Sequence, residues 1–274
     1  MSHGETVLAD LHSHLVPGVD DGARTGDDTV EGIERMVERG YRRIVTTPHL
    51  DASLTLDPRT FAVRMDEIRE GWNWIVGRVR QRWPELDFRQ GHEVMLDVPD
   101  GDFSDERLRL GGTRFILVEW ARMQVPPQSQ QVLSRLRFAG LRPIIAHPER
   151  YFGLDPELAV VAEWKDAGAY LQVNTGSLAG RYGGRARSVA VRLLRRGWVD
   201  YLSTDFHGRP HLSLYCDEAE EALAELGGDD HFSLLAGANP CRVFDDEEPM
   251  PVPPLPDERG LLERLRGLFG GSED

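Results

Sequence analysis

Cysteine is nearly absent: Cys216 and Cys241 are the only two in 274 residues. No disulfide framework is indicated, and a reducing cytoplasm fits. Neither cysteine begins a Cys-x-x-Cys pair, and neither has an arginine six residues on, so a thiolate phosphatase loop is excluded. Lysine is scarcer still, with Lys165 the sole example, so arginine carries nearly all the positive charge. Chemistry that needs an active-site lysine has one candidate, and it lies within an expected helix. A basic surplus is also missing: the formal charge of −14 argues against a nucleic-acid surface. No apolar run approaches the ~20 residues of a bilayer-spanning helix, and the N-terminus lacks the basic-then-apolar order of a signal peptide. No Gly-x-Gly-x-x-Gly loop follows an expected strand, which removes the dinucleotide fingerprint.

What is present is an alternation. With 40% hydrophobic and 28% charged residues, the chain can bury a substantial core. Short apolar strands are expected over 6–9, 43–47, 86–90, 115–118, 143–146, 170–173 and 199–203. Amphipathic helices are expected over 27–39, 59–82, 128–139, 156–167, 185–196, 213–226 and 230–237. Seven strand–helix units predict a parallel α/β sheet with helices outside. An open doubly wound sheet is the alternative. The polar residues favour a (β/α) barrel, because His12, His49, Glu93, Glu119, His147, Asn174 and Asp205 each close a different strand. In a barrel those ends share one mouth. The barrel is expected over residues 1–245. Beyond it, Pro249, Pro251, Pro253, Pro254 and Pro256 make a stiff connector. Leu261, Leu262, Leu265, Leu268 and Phe269 then form the apolar face of a C-terminal helix, so 246–274 is read as a linker plus an amphipathic helix docked on the barrel. A partner or membrane-surface contact is its alternative.

His12 and His14 are two apart, so on extended chain they point the same way. A lone His-x-His does not decide the matter, since a buried imidazole is often only hydrogen-bonded. Five of the nine histidines, however, fall in these motifs: His12, His14, His49, His147 and His207. Asp21 in a glycine-bracketed loop, with Glu93, Glu119 and Asp205, completes nine ligand-type residues. Mixed imidazole and carboxylate donors suit Mn, Fe or Zn, whereas an all-carboxylate shell would favour Mg or Ca. Nine are too many for one ion and suit two or three that share carboxylate bridges.

Asp10-Leu-His-Ser-His14, Pro17-Gly-Val-Asp-Asp-Gly22, Thr47-Pro-His49, Gly91-His-Glu93, Ala146-His-Pro-Glu-Arg150, Gln172-Val-Asn174 and Ser203-Thr-Asp-Phe-His207 resemble the polymerase and histidinol phosphatase (PHP) metallo-hydrolases. Within that family the chain is most similar to the bacterial manganese-dependent protein-tyrosine phosphatases of capsule and exopolysaccharide systems, over residues 6 to about 244. The resemblance implies a distorted seven-stranded barrel holding up to three Mn2+ ions. It assigns His12, His14, Glu93 and Asp205 to the first ion. Glu93, Glu119 and His147 go to the second, with Glu93 bridging, and Asp21, His49 and His207 to the third. Arg150 matches the arginine that holds the phosphate, and Arg209 stands where a second follows the last histidine. Asp10, Asp20 and His92 read as orienting or packing residues.

The implied reaction is in-line attack on phosphorus by a hydroxide held between the ions, with Arg150 and the metals taking up charge. The implied partner is a phosphotyrosine-bearing protein in the cytoplasm, the tail of a tyrosine autokinase. Trp120, Tyr151, Phe152 and Phe206 are candidates to flank its ring, and Pro126-Pro127 a rigid lip beside the entrance. The rival enzyme is a histidinol-phosphate or other small-molecule phosphatase on the same ions. A proofreading nuclease is disfavoured by the acidic charge. A bimetal amidohydrolase would need a bridging lysine at a strand end, and Lys165 is not there. A non-catalytic scaffold would have lost ligands, and none is missing.

Overall fold

The computed structural model describes residues 7–257, and parallel strand pairing organises them. The strands are β1 (Leu8–Asp10), β2 (Tyr41–Thr46), β3 (His49–Asp51), β4 (Asp87–Gln90), β5 (Glu93–Leu96), β6 (Phe115–Trp120), β7 (Arg142–Ala146), β8 (Tyr170–Asn174) and β9 (Tyr201–Ser203). One sheet has three strands in the order β1-β2-β4, and the other has six, β3-β5-β6-β7-β8-β9. The α/β alternation is as expected, but a closed seven-stranded barrel is not formed.

Two lanes of the expected barrel are broken. Pro48 has no N–H to give a ladder, so β2 stops at Thr46 and the lane resumes as β3. Opposite, Gly91 and His92 separate β4 from β5. The offset survives the gap, because Arg43 pairs with Asp87 and His49 pairs with Glu93. Across the gap the Glu93 amide is shared between the carbonyl oxygens of Thr47 and Pro48, each at 3.3 Å. The seam between β1 and β9 is thin, because the two strands lie in different sheets and form no ladder with each other. Its backbone bonds are Asp205 N to His12 O at 2.9 Å and His14 N to Phe206 O at 2.8 Å, with one isolated Ser13–Phe206 bridge.

The helices are α1 (Gly26–Arg39), α2 (Pro58–Arg82), α3 (Ser129–Phe138), α4 (Ala159–Asp166), α5 (Thr175–Leu178), α6 (Gly183–Arg195) and α7 (Cys216–Glu225). The first starts at Thr25, whose side chain accepts from the Asp28 amide while the Asp28 carboxylate accepts from the Thr25 amide. It stops at Gly40, which takes φ 107° without the steric cost of a Cβ. The strands alternate their apolar residues between two cores. Ile116, Val118, Ile145, Leu171 and Val173 pack in the larger cluster with helix residues such as Ile33, Met36, Leu133 and Leu193. Phe115, Leu117, Ile144, Ala146 and Tyr201 form a smaller one, joined by Val243 and Phe244 from the helical stretch over 231–244. Phe115 opens β6 and Tyr201 opens β9, while Glu119, His147 and Asp205 stand near or beyond the other ends of their strands.

The proline-rich connector packs on the body through residue 257. Val252 and Leu255 are buried, the Leu255 amide donates to Leu194 O at 3.1 Å, and His231 Nε2 donates to Pro253 O at 2.8 Å. The expected terminal helix falls in 258–274, outside the described residues. Among the described residues no helix is long and apolar enough to cross a membrane.

Candidate metal centre

Beyond β1 the chain stays extended enough to keep the two-residue period, and His12 and His14 bring their Nε2 atoms to 3.2 Å of each other. Glu93 lies at their centre. Its Oε2 is 3.1 Å from His12 Nε2, 3.4 Å from His14 Nε2 and 3.1 Å from His49 Nδ1. Its Oε1 is 2.8 Å from His147 Nε2. Asp205 Oδ1 reaches His12 and His14 at 3.4 and 3.5 Å. Asp21 Oδ1 is 3.4 Å from both His49 Nε2 and His207 Nε2. Glu119 lies 3.4 Å from His49 and 3.8 Å from His147. All nine nominated residues therefore meet in one cluster. Its ligand-sized groupings are His14, Asp21, His49 and His207; His12, Glu93 and His147; His12, His14 and Asp205; and His49, Glu93 and Glu119. His49 thus stands between two sets, facing Glu93 and Glu119 as well as Asp21 and His207.

A surrounding layer turns the rings inward. Gln172 Oε1 accepts from His12 Nδ1 at 2.9 Å, Asp20 Oδ2 from His14 Nδ1 at 2.8 Å, and the Asp205 carbonyl from His207 Nδ1 at 2.9 Å. Each bond leaves the opposite ring nitrogen facing the cluster, the arrangement that suits imidazole ligation. Asn174 Nδ2 and Arg150 Nη1 both donate to Asp205 Oδ2 at 2.8 Å. The buried Glu149 accepts from the Asn174 amide at 3.0 Å and from Ser177 Oγ at 2.6 Å. Asp10 accepts from the Thr204 amide at 2.8 Å, and His92 Nδ1 donates to Arg107 O at 2.9 Å. His147 at φ 35° and Asp205 at φ 50° adopt a left-handed backbone that residues other than glycine seldom keep.

Burial pushes the Glu93 and Asp205 carboxyls up, but the adjoining imidazoles outweigh it and hold both below the usual range. Asp21, facing His207 and His49, is also held low. Burial opposes charge on His49, yet Asp21, Glu119 and Glu93 raise it to about 10. Burial alone dominates at Asp10, pushed up to about 7. The cluster is thus a nest of carboxylates that draws positive charge. Glu93 Oε2 and His147 Nδ1 are buried and receive no hydrogen bond. An orphaned carboxylate oxygen ringed by imidazole nitrogens fits a divalent ion.

Arg150 lies at the rim, its guanidinium 4.3 Å from the centre of the Tyr182 ring. Arg209 is not brought to it. Its Nε donates to Gly22 O at 3.2 Å and its Nη2 to Asp21 O, so it braces the loop that carries Asp21. The aromatic candidates also separate. Trp120 and Tyr151 are core residues, with the Tyr151 hydroxyl accepting from the Trp120 amide at 3.1 Å. Phe152 is exposed against Arg185, and only Phe206 borders a cavity with Arg150. Pro126 and Pro127 line a different cavity, with Leu96 and Arg135. Gln172 was within reach of the sequence, since it precedes Asn174 by two on one strand face. Tyr182 and Tyr215 carry no periodic signal and were missed.

The chain is similar to the tyrosine-protein phosphatase YwqE of Bacillus subtilis, 26% identical over 96% of this chain and 99% of that protein. It is similar to the tyrosine-protein phosphatase CpsB of Streptococcus pneumoniae at 25% identity, over 88% of this chain and 99% of the relative. A solved structure from work on YwqE and CpsB, described there as unique metal-dependent tyrosine phosphatases, superposes with a TM-score of 0.72 and 25% identity, covering 92% of this chain and all of the other. An amidohydrolase from Mycoplasma synoviae shares the fold at a TM-score of 0.53 and 14% identity, over 98% of this chain and 96% of its own. Matched from residue 8 to residue 245, the chain belongs to the capsular polysaccharide synthesis family CpsB/CapC.

Proposed function

We propose that the chain is a metal-dependent protein-tyrosine phosphatase of capsule or exopolysaccharide synthesis. The observation that carries this reading is the convergence of five imidazoles and four carboxylates around Glu93, with Arg150 at the rim. His12, His14, Glu93 and Asp205 would hold one ion, Glu93, Glu119 and His147 a second, and Asp21, His49 and His207 a third. Manganese is the ion we assign, with iron or zinc acceptable to the same donors. Bound there, divalent ions would acidify water and offset charge on phosphoryl oxygens.

The protein's own contribution is positional. Arg150, tethered through one nitrogen to Asp205, keeps further N–H groups in a planar fork that suits a phosphate. Asp20, Gln172 and the Asp205 carbonyl fix the imidazoles, so the donor set is assembled before substrate arrives. A phenol leaves with a pKa near ~10 and needs less proton donation than an alkoxide. The names of the relatives support a phosphotyrosine substrate in capsule synthesis. We assign a tyrosine-autokinase tail in the cytoplasm as the partner.

The test is kcat/KM with manganese on a phosphotyrosine peptide, a phosphoserine peptide and histidinol phosphate. The phosphotyrosine peptide is expected to lead. Preference for histidinol phosphate would replace the protein substrate with a small molecule and leave the metal centre standing.

A further inference from the structure

A cavity of about 210 Å³ opens beside the cluster, with Arg150, Asp205 and Phe206 along one part of its lining and Arg181, Tyr182 and Tyr215 along another. It is smaller than the roughly 300–1,000 Å³ of sites for drug-sized ligands, so one ring with its phosphate is the scale it suits. Gly176 backs the Tyr182 and Tyr215 rings. A Cβ there would come within 3.2 Å of the Tyr182 ring, 3.3 Å of the Tyr215 ring and 3.4 Å of Arg181 Cβ. Tyr215 is held at φ 57°, so one of these rings stands on an uncommon backbone conformation. Burial pushes the Tyr182 phenol up to about 12, so it stays protonated and able to donate at neutral pH.

The three arginines near the centre are engaged differently. Arg150 is paired with Asp205, and Arg209 is spent on the carbonyls of Gly22 and Asp21. Arg181 is exposed, and its guanidinium has no partner among the described residues. Its amide donates to Gly176 O at 2.8 Å, which ties it to the glycine behind the two rings. The surrounding chain has the same polarity. From residue 167 to residue 199 there are six arginines and no Asp or Glu, in a chain whose net charge is −14. The long helix α6 starts at Tyr182 with no side-chain cap and no acidic residue in its first turn. Each of these features favours an anion on this side of the mouth.

We propose that this cavity seats the phosphoaryl group, that Arg181 supplies the second phosphate-facing guanidinium expected from Arg209, and that Tyr182 and Tyr215 wall the ring. The inference rests on the phosphatase reading above. Arg181 and Arg150 approach from different elements, so the phosphate is held between two forks.

The test is calorimetric binding of phenylphosphonate and methylphosphonate to the manganese-loaded protein, with steady-state kinetics on p-nitrophenyl phosphate. Arg181→Ala is expected to weaken both phosphonates about tenfold and to raise KM more than it lowers kcat; Arg181→Lys recovers part of the loss. Gly176→Val is expected to weaken phenylphosphonate much more than methylphosphonate, because the added methyls enter the ring space. Arg209→Ala is expected to lower turnover through the Asp21 loop while leaving phosphonate affinity within twofold. Wild-type affinity in Arg181→Ala, or a larger loss in Arg209→Ala, overturns the assignment of Arg181. Equal losses of the two phosphonates in Gly176→Val overturn the ring site. If the wild-type protein neither binds nor hydrolyses an aryl phosphate, the phosphatase reading fails, and this site with it.

Discussion

Glu93 touches the imidazoles of His12, His14, His49 and His147 through two oxygens. No other carboxylate in the cluster reaches as many imidazoles, Asp205 meeting three and Asp21 and Glu119 two each. Glu93→Ala is therefore expected to abolish turnover and to lower bound metal together, measured by elemental analysis alongside p-nitrophenyl phosphate hydrolysis. An active Glu93→Ala enzyme with full metal content would remove the centre from the mechanism. Arg150 makes the opposite case, since it touches Asp205 and the Tyr182 ring but belongs to no ligand-sized group. Arg150→Ala is expected to keep its metal and lose roughly 10²–10³ in turnover, the scale for one transition-state donor. Arg150→Lys should recover little, because an ammonium does not reproduce a planar fork. Undiminished kinetics in Arg150→Ala would shift phosphate binding away from this rim.

Elements decide where such residues stand. The gaps after Thr46 and Gln90 interrupt two lanes, yet they leave His49 and Glu93 as direct pairing partners. The loop after β1 is equally constrained. Gly22 N donates to Asp20 Oδ1 at 2.9 Å, while Asp20 Oδ2 orients His14. A Cβ on Gly22 would overlap the His14 carbonyl oxygen and Cβ, which are not free to yield. Gly22→Ala is expected to cost about 1–3 kcal/mol of stability, the usual range for overpacking, and to reduce metal occupancy by displacing Asp21. Thermal unfolding with and without chelator reads both effects. A variant with unchanged midpoint and metal content would show that the loop has slack.

At the scale of the whole molecule, the connector after the last helical stretch is pinned to the two strands it crosses. Asp246 accepts from the Arg114 amide at 2.9 Å and from Arg114 Nε at 2.7 Å, and Arg142 Nη1 donates to its carbonyl at 2.9 Å. Burial would raise the Asp246 carboxyl, but the Arg114 bonds outweigh it and lower it. A depressed folded-state value means the stabilisation is full above the ordinary carboxylate pKa and is lost as pH falls through the folded one. Asp246→Asn is therefore expected to lower stability near neutrality and to flatten the acid limb of stability against pH, the two proteins converging once the wild-type carboxylate is protonated. Chemical denaturation at a series of pH values below 5 measures it, and an acid limb identical to wild type would show that this pin contributes nothing.

Local patterning alone was enough for the order of strands and helices and for the ligand types. Apolar period depends on neighbours within one turn or strand, which is why α1 was legible over 27–39, while its Thr25 cap emerged only in the structure. Most of the ligand-type residues were legible because they lie at or near the end of a strand lane, and parallel lanes bring those positions together; Asp21 reaches them from the loop after β1. Closure was not legible, since β1 and β9 do not pair directly and are joined only through the residues that follow them, Asp205 N to His12 O and His14 N to Phe206 O. Nor was the destination of Arg209, whose long side chain reaches whatever carbonyls the Asp21 loop offers. The Trp120 and Tyr151 rings read as mouth residues by adjacency in sequence, yet Trp120 faces away from Glu119 on its strand, Tyr151 follows the short turn over Pro148–Arg150, and both are buried in the core. Tyr182, Tyr215 and Arg181 come from segments far apart in the chain or outside any regular period. Only the packing of α5 against the turns beside it brings them to one cavity.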